Sequence, residues 1–310
     1  MNDLNSTAVA LFIFNRPDLT ARVFESIRAA KPRHLLVIAD GPRRSHPEEE
    51  RLCKEARAIA STPDWPCELV LNFSDENLGC KRRLSSGLDW VFQSFPEAII
   101  LEDDCVPSAS FFRFCSELLD HYRNDTRIMH ISGDNFQDGR KRGTSSYYFS
   151  KYPHTWGWAT WKRAWAYYDV TMASWPAANR DNWLRSILDD PREADYWGGI
   201  FENLHAGQIN TWDYQWVYAC WRQGGLSILP NENLVTNIGA GPDATHLKEG
   251  HSTINLPAHE LRDCRHPDSI AVDRDADRYT FENHIAGRVV PRHLQWLHRV
   301  KRMIADPILR

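Results

Sequence analysis

Short apolar runs alternate with amphipathic stretches along the first third of the chain. The apolar runs cover residues 9–14, 35–39, 68–73 and 98–101. The amphipathic stretches cover residues 17–30, 47–61 and 81–95, with apolar side chains three and four positions apart. That spacing is typical of helices packed on one face, and strands that alternate with helices form right-handed crossovers. The pattern therefore predicts an α/β fold with a mostly parallel central sheet flanked by helices.

The rest of the chain has a less regular pattern. It predicts helices at residues 109–122, 179–205 and 212–223, and strands at residues 127–132, 147–151 and 226–229. Residues 236–285 are rich in Gly, Pro, Asp and His and have weak periodicity, which predicts a long loop or lid. Helical spacing returns at residues 291–304.

Composition narrows the class of protein. The chain has 310 residues, with 37 Lys and Arg against 41 Asp and Glu, and this charge of −4 disfavours a nucleic-acid groove. The seven Cys form no Cys-x-x-Cys pair, which disfavours a disulfide framework or a zinc site and indicates a reducing, cytoplasmic location. The first apolar run, at residues 8–14, is too short for a signal peptide or a membrane helix.

Tryptophan is concentrated in one segment. Ten of the 13 Trp lie between Trp156 and Trp221. Such a cluster forms either an unusually aromatic core or a surface that stacks on the flat face of a ligand. Composition does not separate these two interpretations.

Polar and charged residues stand at the ends of the predicted parallel strands. They are Asn15-Arg16, Asp40-Gly41, residues 72–77 and Glu102-Asp103-Asp104. Ligands of open parallel sheets bind outside the carboxyl ends of the strands, so a site is expected at this edge. The chain contains neither Gly-x-Gly-x-x-Gly nor the P-loop motif, which disfavours a dinucleotide-binding or P-loop fold.

Glu102-Asp103-Asp104 is the strongest local signal. Three adjacent carboxylates repel one another, and a hard divalent cation with oxygen ligands would offset that repulsion. The alternative is that Asp104 caps a helix beginning near Ser108 while the other two carboxylates are solvated. The triplet alone leaves both interpretations open.

The residues around the triplet resemble the GT-A glycosyltransferases, in particular the N-acetylglucosaminyltransferase I type and bacterial family-2-like members. In that family an apolar strand is followed by Glu-Asp-Asp and then by a Phe pair, here Phe111-Phe112. The other motifs that fall in the family's order are Asn15-Arg16, Asp40-Gly41, Gly157-Trp158 and Trp212-Asp213. The resemblance covers residues 8–250 and implies a Rossmann-like nucleotide-diphospho-sugar transferase fold.

The resemblance implies roles for the residues that would hold the donor. Asp40 would bind the uracil edge, and Arg16 would lie beside the base or the diphosphate. Asp104 would bind Mn²⁺ or Mg²⁺. Asp103 would lie near the ribose, and Glu102 near the hydroxyls of the donor sugar.

The acceptor side is assigned in the same way. Asp213 matches the family's general base, which takes the proton of the acceptor hydroxyl in an inverting transfer. A lone Asp at a helix start is also a common N-cap, so capping is the alternative for this residue. Trp156, Trp158 and Trp212 are the candidates for stacking on a sugar, while the other Trp of the segment are expected to form the core.

Two further candidates have weaker support. His246 is a candidate metal or phosphate ligand because related enzymes take one from a late His, although an isolated His in a polar loop is commonly exposed. Lys81 begins a predicted helix whose N-terminus could face phosphate, and a solvated basic face is the alternative.

The C-terminal segment combines charge with helical apolar spacing. Residues 288–310 contain six Lys and Arg against one acidic residue. A basic amphipathic helix of this kind can lie on an anionic membrane surface, and packing on the main domain with its charges in water is the alternative.

These expectations define one function and two rivals. The chain is predicted to be a metal-dependent inverting glycosyltransferase that moves N-acetylglucosamine or another hexose from a UDP-sugar to a glycan or lipid-linked glycan hydroxyl, in bacterial surface polysaccharide assembly. Residues 1–250 would form the catalytic domain, with a nucleotide-binding half at 8–104 and an acceptor half at 105–250. Residues 251–310 would form a lid and the basic helix. The rivals are a sugar nucleotidyltransferase and a non-catalytic glycan-binding protein.

Overall fold

The computed structural model describes residues 6–240 and 253–286. The strands of this part of the chain are β1 (Ala8–Ile13), β2 (His34–Ala39), β3 (Glu68–Phe73), β4 (Glu97–Glu102), β5 (Cys105–Pro107), β6 (Ile128–Ser132), β7 (Tyr147–Ser150), β8 (Trp158–Trp161), β9 (Leu226–Pro230) and β10 (Val235–Asn237). The helices are α1 (Pro17–Ala30), α2 (Pro47–Ala60), α3 (Gly79–Ser94), α4 (Ala109–His121), α5 (Lys162–Trp165), α6 (Trp175–Arg180), α7 (Trp183–Ile187), α8 (Pro191–His205), α9 (Asp213–Arg222) and α10 (Arg274–Thr280).

A mostly parallel sheet forms the centre of the described residues. Its eight strands are ordered β3-β2-β1-β4-β8-β6-β9-β7. Strands β1 to β4 are mutually parallel, β8 runs antiparallel to β4 and β6, β9 is parallel to β6, and β7 is antiparallel to β9. The predicted α/β class, with a mostly parallel sheet flanked by helices, is confirmed.

Two hydrophobic cores lie on opposite faces of this sheet. A strand that is buried on both faces has a continuous apolar sequence, and β1 is an example. Its residues alternate between the two cores: Ala8, Ala10 and Phe12 pack on the side of α3 and α5 to α9, and Val9, Leu11 and Ile13 on the side of α1, α2 and α4. Because α1 and α3 lie on opposite faces, the carboxyl ends of β1 and β4 meet at a topological switch point, where ligands of such sheets bind.

The segment predicted as one helix at residues 179–205 is interrupted. It contains the end of α6, then α7 and α8. Asn182 adopts a left-handed conformation with φ of 50° before α7, and Pro191 stands in the first turn of α8. The Asp190 side chain accepts a hydrogen bond of 2.8 Å from the Arg192 amide and caps α8. Apolar spacing alone did not show these local breaks.

Three strands were not predicted. The fully buried β8 lies between β4 and β6, and its Trp-rich sequence was assigned to a ligand surface or core without regular structure. The short β5 and β10 pair antiparallel with each other in a separate two-stranded sheet within the described residues. This small sheet brings the chain after Val235 next to Asp104, since the Ile238 amide donates to the Asp104 carbonyl at 2.8 Å.

The described part of the predicted lid is tied to the main body. Residues 274–285 form α10 and a π-helical turn, Phe281–Ile285, which corrects the expectation of a loop through residue 285. Upstream, the Glu260 carboxylate accepts hydrogen bonds from the Ala109 and Ser110 amides at 3.0 and 2.9 Å. Glu260 therefore caps α4, and the alternative in which Asp104 is that cap is wrong.

Several predictions fall outside the described residues. They concern His246, the helix at residues 291–304 and the membrane contact of residues 288–310. Among the helices that the structure describes, none combines the length and the hydropathy needed to cross a membrane. The proposed division at residue 250 stays a prediction.

Candidate active site

The switch point between β1 and β4 collects the charged residues predicted from the strand ends. An Arg16 guanidinium nitrogen donates to the Asp103 carboxylate and, at 2.9 Å, to Asp104 Oδ2. The Phe14 amide donates to Asp103 Oδ2 at 3.1 Å. Asp103 is buried, with 2% of its surface exposed, whereas Arg16 and Asp104 remain partly open at 24% and 15% of their side chains. Asp103 thus anchors Arg16, and Asp104 faces the outside of the group.

Burial and neighbouring charges shift the pKa values of Glu102, Asp103 and Arg16. Burial raises the pKa of Glu102, and the neighbouring Asp104, Asp103 and Asp213 raise it further against the effect of Arg16. Burial also raises the pKa of Asp103, although Arg16 opposes the shift. Burial of Arg16 acts to lower its pKa, but the two aspartates reverse this and hold the guanidinium charged. With its pKa raised to about 8, Glu102 is largely protonated at neutral pH, and Asp103, Asp104 and Asp213 still outnumber the single positive charge of Arg16.

Asp213 is the first residue of α9, and its charge acts on both Glu102 and Cys80, so it lies within electrostatic reach of this group. Its Oδ1 accepts hydrogen bonds from the Thr211 hydroxyl and, at 3.0 Å, from the Tyr214 amide. Its Oδ2 accepts none from the described residues. The N-cap position belongs to Trp212, so Asp213 does not have the capping role considered as its alternative. The half-buried carboxylate is held by one oxygen and leaves the other available.

The first turn of α3 faces the same group. Burial raises the pKa of the Cys80 thiol, and Glu102, Asp213, Asp104 and Asp40 raise it further, which places this turn among the carboxylates. Lys81 follows in the same turn and is half-buried. A helix N-terminus carries unpaired amides and a positive dipole end, so this turn suits an anionic group such as a diphosphate.

Asp40 holds the loop that leads into α3. Its Oδ1 accepts from the Gly41 and Leu78 amides at 3.0 and 2.8 Å, and its Oδ2 accepts from the Gly79 amide and the Asn77 side chain at 2.9 and 3.2 Å. A carboxylate offers about four acceptor positions, and the chain's own donors fill them. The structure does not support the predicted uracil contact of Asp40; the residue positions the α3 N-terminus instead.

Gly239 brings the backbone close to the Asp104 carboxylate. A Cβ at this position would lie 2.1 Å from Asp104 Oδ2 and 2.8 Å from its Cγ. The Asn237 side chain fixes the approach by accepting from the Gly239 amide at 2.9 Å and donating to Asp104 Oδ1 at 3.4 Å. Asn237 was missed because its role depends on the pairing of β5 with β10, for which the sequence carries no strong periodic signal.

The tryptophan cluster belongs mainly to the core. Trp158 is completely buried and Trp212 is 3% exposed, and their rings stack on each other at 5.6 Å. Neither indole has a free face for a sugar, so the predicted stacking is wrong for these two residues. Trp156 is partly exposed and packs edge-on against Phe136 at 5.2 Å, and its contact with a sugar stays a prediction.

Behind Trp156 lies a second ionisable pair that the sequence did not indicate. His154 and Asp134 are buried and joined by a 2.8 Å contact between Nδ1 and Oδ1. The Asp134 carboxylate also accepts from the Trp156 amide at 3.3 Å. The pair fixes the start of the Trp-rich segment beside the site.

The described residues could supply only a few ligands to a metal ion. Within them, no group of three or more His, Cys, Asp and Glu side chains is arranged to hold an ion. Asp104 nevertheless offers hard oxygens, an excess of negative charge surrounds it, and the lack of a side chain at Gly239 lets the backbone approach its carboxylate. These features fit a cation that completes its shell with substrate oxygens and water.

Comparisons with known proteins add a distant structural likeness. No protein-family model matches the chain, and no curated protein matches it. Among solved structures it is similar to a UDP-glucose pyrophosphorylase complexed with UDP-glucose, with a TM-score of 0.31 and 10% sequence identity. The match covers 52% of this chain and 78% of that chain. So weak a likeness carries no conclusion about activity.

Proposed function

We propose that the chain is a metal-dependent inverting glycosyltransferase of the GT-A type. It would move a hexose, such as N-acetylglucosamine, from a UDP-sugar to the hydroxyl of a glycan or lipid-linked glycan, as in bacterial surface polysaccharide assembly. The observation that carries the proposal is that Asp213 and the Glu102-Asp103-Asp104 triplet lie within electrostatic reach of each other and of the α3 N-terminus.

The donor diphosphate would lie between the α3 N-terminus and Asp104. The first-turn amides of α3 that Asp40 does not occupy, with Lys81, would offer hydrogen bonds and positive potential to its oxygens. Arg16 shares its guanidinium between Asp103 and Asp104, and its partly exposed edge can turn toward the diphosphate. A divalent cation held by Asp104, and by His246 as predicted, would neutralise charge that develops on the leaving diphosphate.

Asp213 would act on the acceptor. Its open Oδ2 can accept the proton of a sugar hydroxyl, while the Thr211 hydroxyl and the Tyr214 amide keep the carboxylate in one orientation. Glu102 lies within electrostatic reach of Asp213 and would bind hydroxyls of the donor sugar between the two groups. Attack from the Asp213 side, with departure toward Asp104, would invert the anomeric carbon.

The non-catalytic rival loses its main support. It depended on exposed tryptophans, and Trp158 and Trp212 are buried. A simple glycan-binding surface would also not need four carboxylates at the switch point, where their mutual repulsion costs stability.

UDP binding tests the donor site. Calorimetric titration of UDP is expected to show binding with Mn²⁺ and a loss of at least about tenfold in affinity without it or in Asp104→Ala, as for a removed charge-assisted contact. Asp195→Asn, which removes an exposed carboxylate on α8, is the matched control and should bind as the wild type does. Equal binding with and without Mn²⁺ would remove the metal from the proposal.

Turnover tests the role of Asp213. Asp213→Asn should leave UDP affinity nearly unchanged and lower release of UDP from a UDP-sugar by about 10² or more, the range of a lost general base. Unchanged turnover would exclude Asp213 as the base. Release of pyrophosphate from UTP and a sugar phosphate, without transfer from UDP-sugars, would instead favour the nucleotidyltransferase.

A further inference from the structure

A second cavity lies at the edge of the sheet opposite the candidate active site. Because β7 runs antiparallel to β9, the end of β7 and the start of β9 meet at the amino-terminal edge of β1 to β4. Lys151 and Leu226, which follow and begin these strands, line a cavity of about 240 Å³. Pockets for drug-sized ligands span about 300–1,000 Å³, so this cavity suits a smaller molecule.

Apolar side chains form much of the cavity wall. Trp221 from α9, Phe281 from the π-helical turn and Leu188 after α7 all line it, with 4%, 4% and 5% of their surfaces exposed. Leu226 and Val272 add aliphatic surface. Three separate parts of the chain thus converge on one aromatic and aliphatic lining.

The inner polar wall is negatively charged. Asp277 and Glu193 line the cavity, and both are buried, at 3% and 5% exposed. The Lys151 ammonium lies 2.9 Å from Glu193 Oε2, whereas the donors to Asp277 among the described residues are neutral: the Ser150 hydroxyl and, at 3.2 Å, the Lys151 amide. One ammonium therefore faces two carboxylates in a region where burial strengthens electrostatic interactions.

Charges at the mouth of the cavity are largely paired. Arg274 contacts Asp189, Arg192 contacts Asp190, and Arg278 contacts Asp275 at 3.5 Å. The uncompensated charge therefore belongs to the inner wall, beside the aromatic lining.

We propose that this cavity binds a small organic ammonium ion with an apolar body. The ammonium would lie against Asp277 and Glu193, and the apolar body would contact Trp221, Phe281 and Leu188. An inorganic cation has no apolar body to bury against the aromatic and aliphatic lining, and an organic anion would meet the two buried carboxylates. The site is independent of the proposed sugar transfer, because it uses none of its residues and lies at the other edge of the sheet.

2-Phenylethylammonium is a suitable probe, and 3-phenylpropionate is its anionic counterpart of similar size. Titration followed by Trp221 indole NMR signals is expected to give a Kd of about 1 mM for the ammonium, as befits so small a ligand, and binding at least about tenfold weaker for the anion. Asp277→Asn should weaken ammonium binding by about tenfold, the effect of losing one charged hydrogen bond.

Asp189→Asn at the exposed rim is the control variant and should bind the probe as the wild type does. The proposal is overturned if the ammonium leaves the Trp221 signal unchanged at about 10 mM, ten times the expected Kd. It is also overturned if the anion binds equally well. The comparison of the two probes uses wild-type protein, so it holds even where a variant folds poorly.

Discussion

Asp277 should make the stability of the protein depend on pH in the opposite sense to an ordinary surface aspartate. Burial raises its pKa from 3.8 to about 6, with a further increase from Glu193, although the Ser150 hydroxyl and the Lys151 amide and charge act the other way. Because the folded state holds this proton more tightly than the unfolded chain, its contribution is greatest below pH 3.8 and is lost as the pH rises through about 6. A shift of about two units corresponds to about 3 kcal/mol.

Asp277→Asn tests this value because asparagine imitates the protonated carboxyl. Urea unfolding of both proteins, followed by tryptophan fluorescence from about pH 4 to pH 7, gives a difference in unfolding free energy from which other titrating groups cancel. That difference should move by up to about 3 kcal/mol in favour of the variant as the pH rises. Asp189→Asn, where the native side chain is 74% exposed, should show a flat difference. A flat profile for Asp277→Asn would refute the raised pKa, and a slope of opposite sign would show that the Lys151 charge dominates.

Two further predictions concern contacts between distant parts of the chain. Gly239→Ala should displace Asp104, since the new Cβ would lie 2.1 Å from its Oδ2. Calorimetry should then show at least about tenfold weaker binding of UDP in the presence of Mn²⁺. In the control variant Gly199→Ala, the new Cβ would have no heavy atom within 4 Å, and UDP should bind as in the wild type. Glu260→Gln should lower the free energy of unfolding at pH 7 by about 1–2 kcal/mol, because it weakens the charged cap of α4. This loss should appear as a fall in Tm of about 2–4 °C. In the control variant Glu25→Gln, where the native side chain is 69% exposed, Tm should change little. Burial acts to raise the pKa of Glu260, but hydrogen bonds from Ser110 and Ala109 lower this pKa overall. The contribution of Glu260 to the stability of the folded protein should therefore be lost as the pH falls through the lowered pKa. An unchanged Tm of Glu260→Gln at pH 7 would contradict the capping role.

The first half of the fold could be predicted because its signals are local. Each run that forms β1 to β4 has an apolar centre, although β3 contains Glu68 and Asn72, and each intervening helix has a periodic apolar face. Parallel strands align their carboxyl ends, so reading the residue after each strand predicted that Arg16 and Asp104 would share one edge. Arg16 and Asp104 do share that edge and lie in contact at 2.9 Å, although the pairing of β1 with β4 that brings them together was not predicted.

The remaining features depend on pairings between distant segments. Glu260 caps a helix about 150 positions earlier in the chain, and nothing near residue 109 indicates the donor of that cap. Trp158 was selected as a stacking candidate from its place in the resemblance, in Gly157-Trp158, but β8 is inserted between β4 and β6 and buries this side chain. Asp40 was matched to a motif by position, whereas its role follows from four donors that the fold brings to it.

The charge balance at the switch point connects these local and distant effects. A group fully neutralised by the protein would be more stable and would have little affinity for a cation, since no uncompensated charge would remain. Arg16 compensates the buried Asp103 and only part of Asp104, so the unpaired charge is concentrated at the partly exposed Asp104, which the Gly239 backbone approaches closely. Repulsion among the triplet and Asp213 thus lowers the stability of the ligand-free protein, and a bound cation would recover it. The same residues that make the edge unfavourable for folding are therefore those that would make it selective for a positively charged ligand.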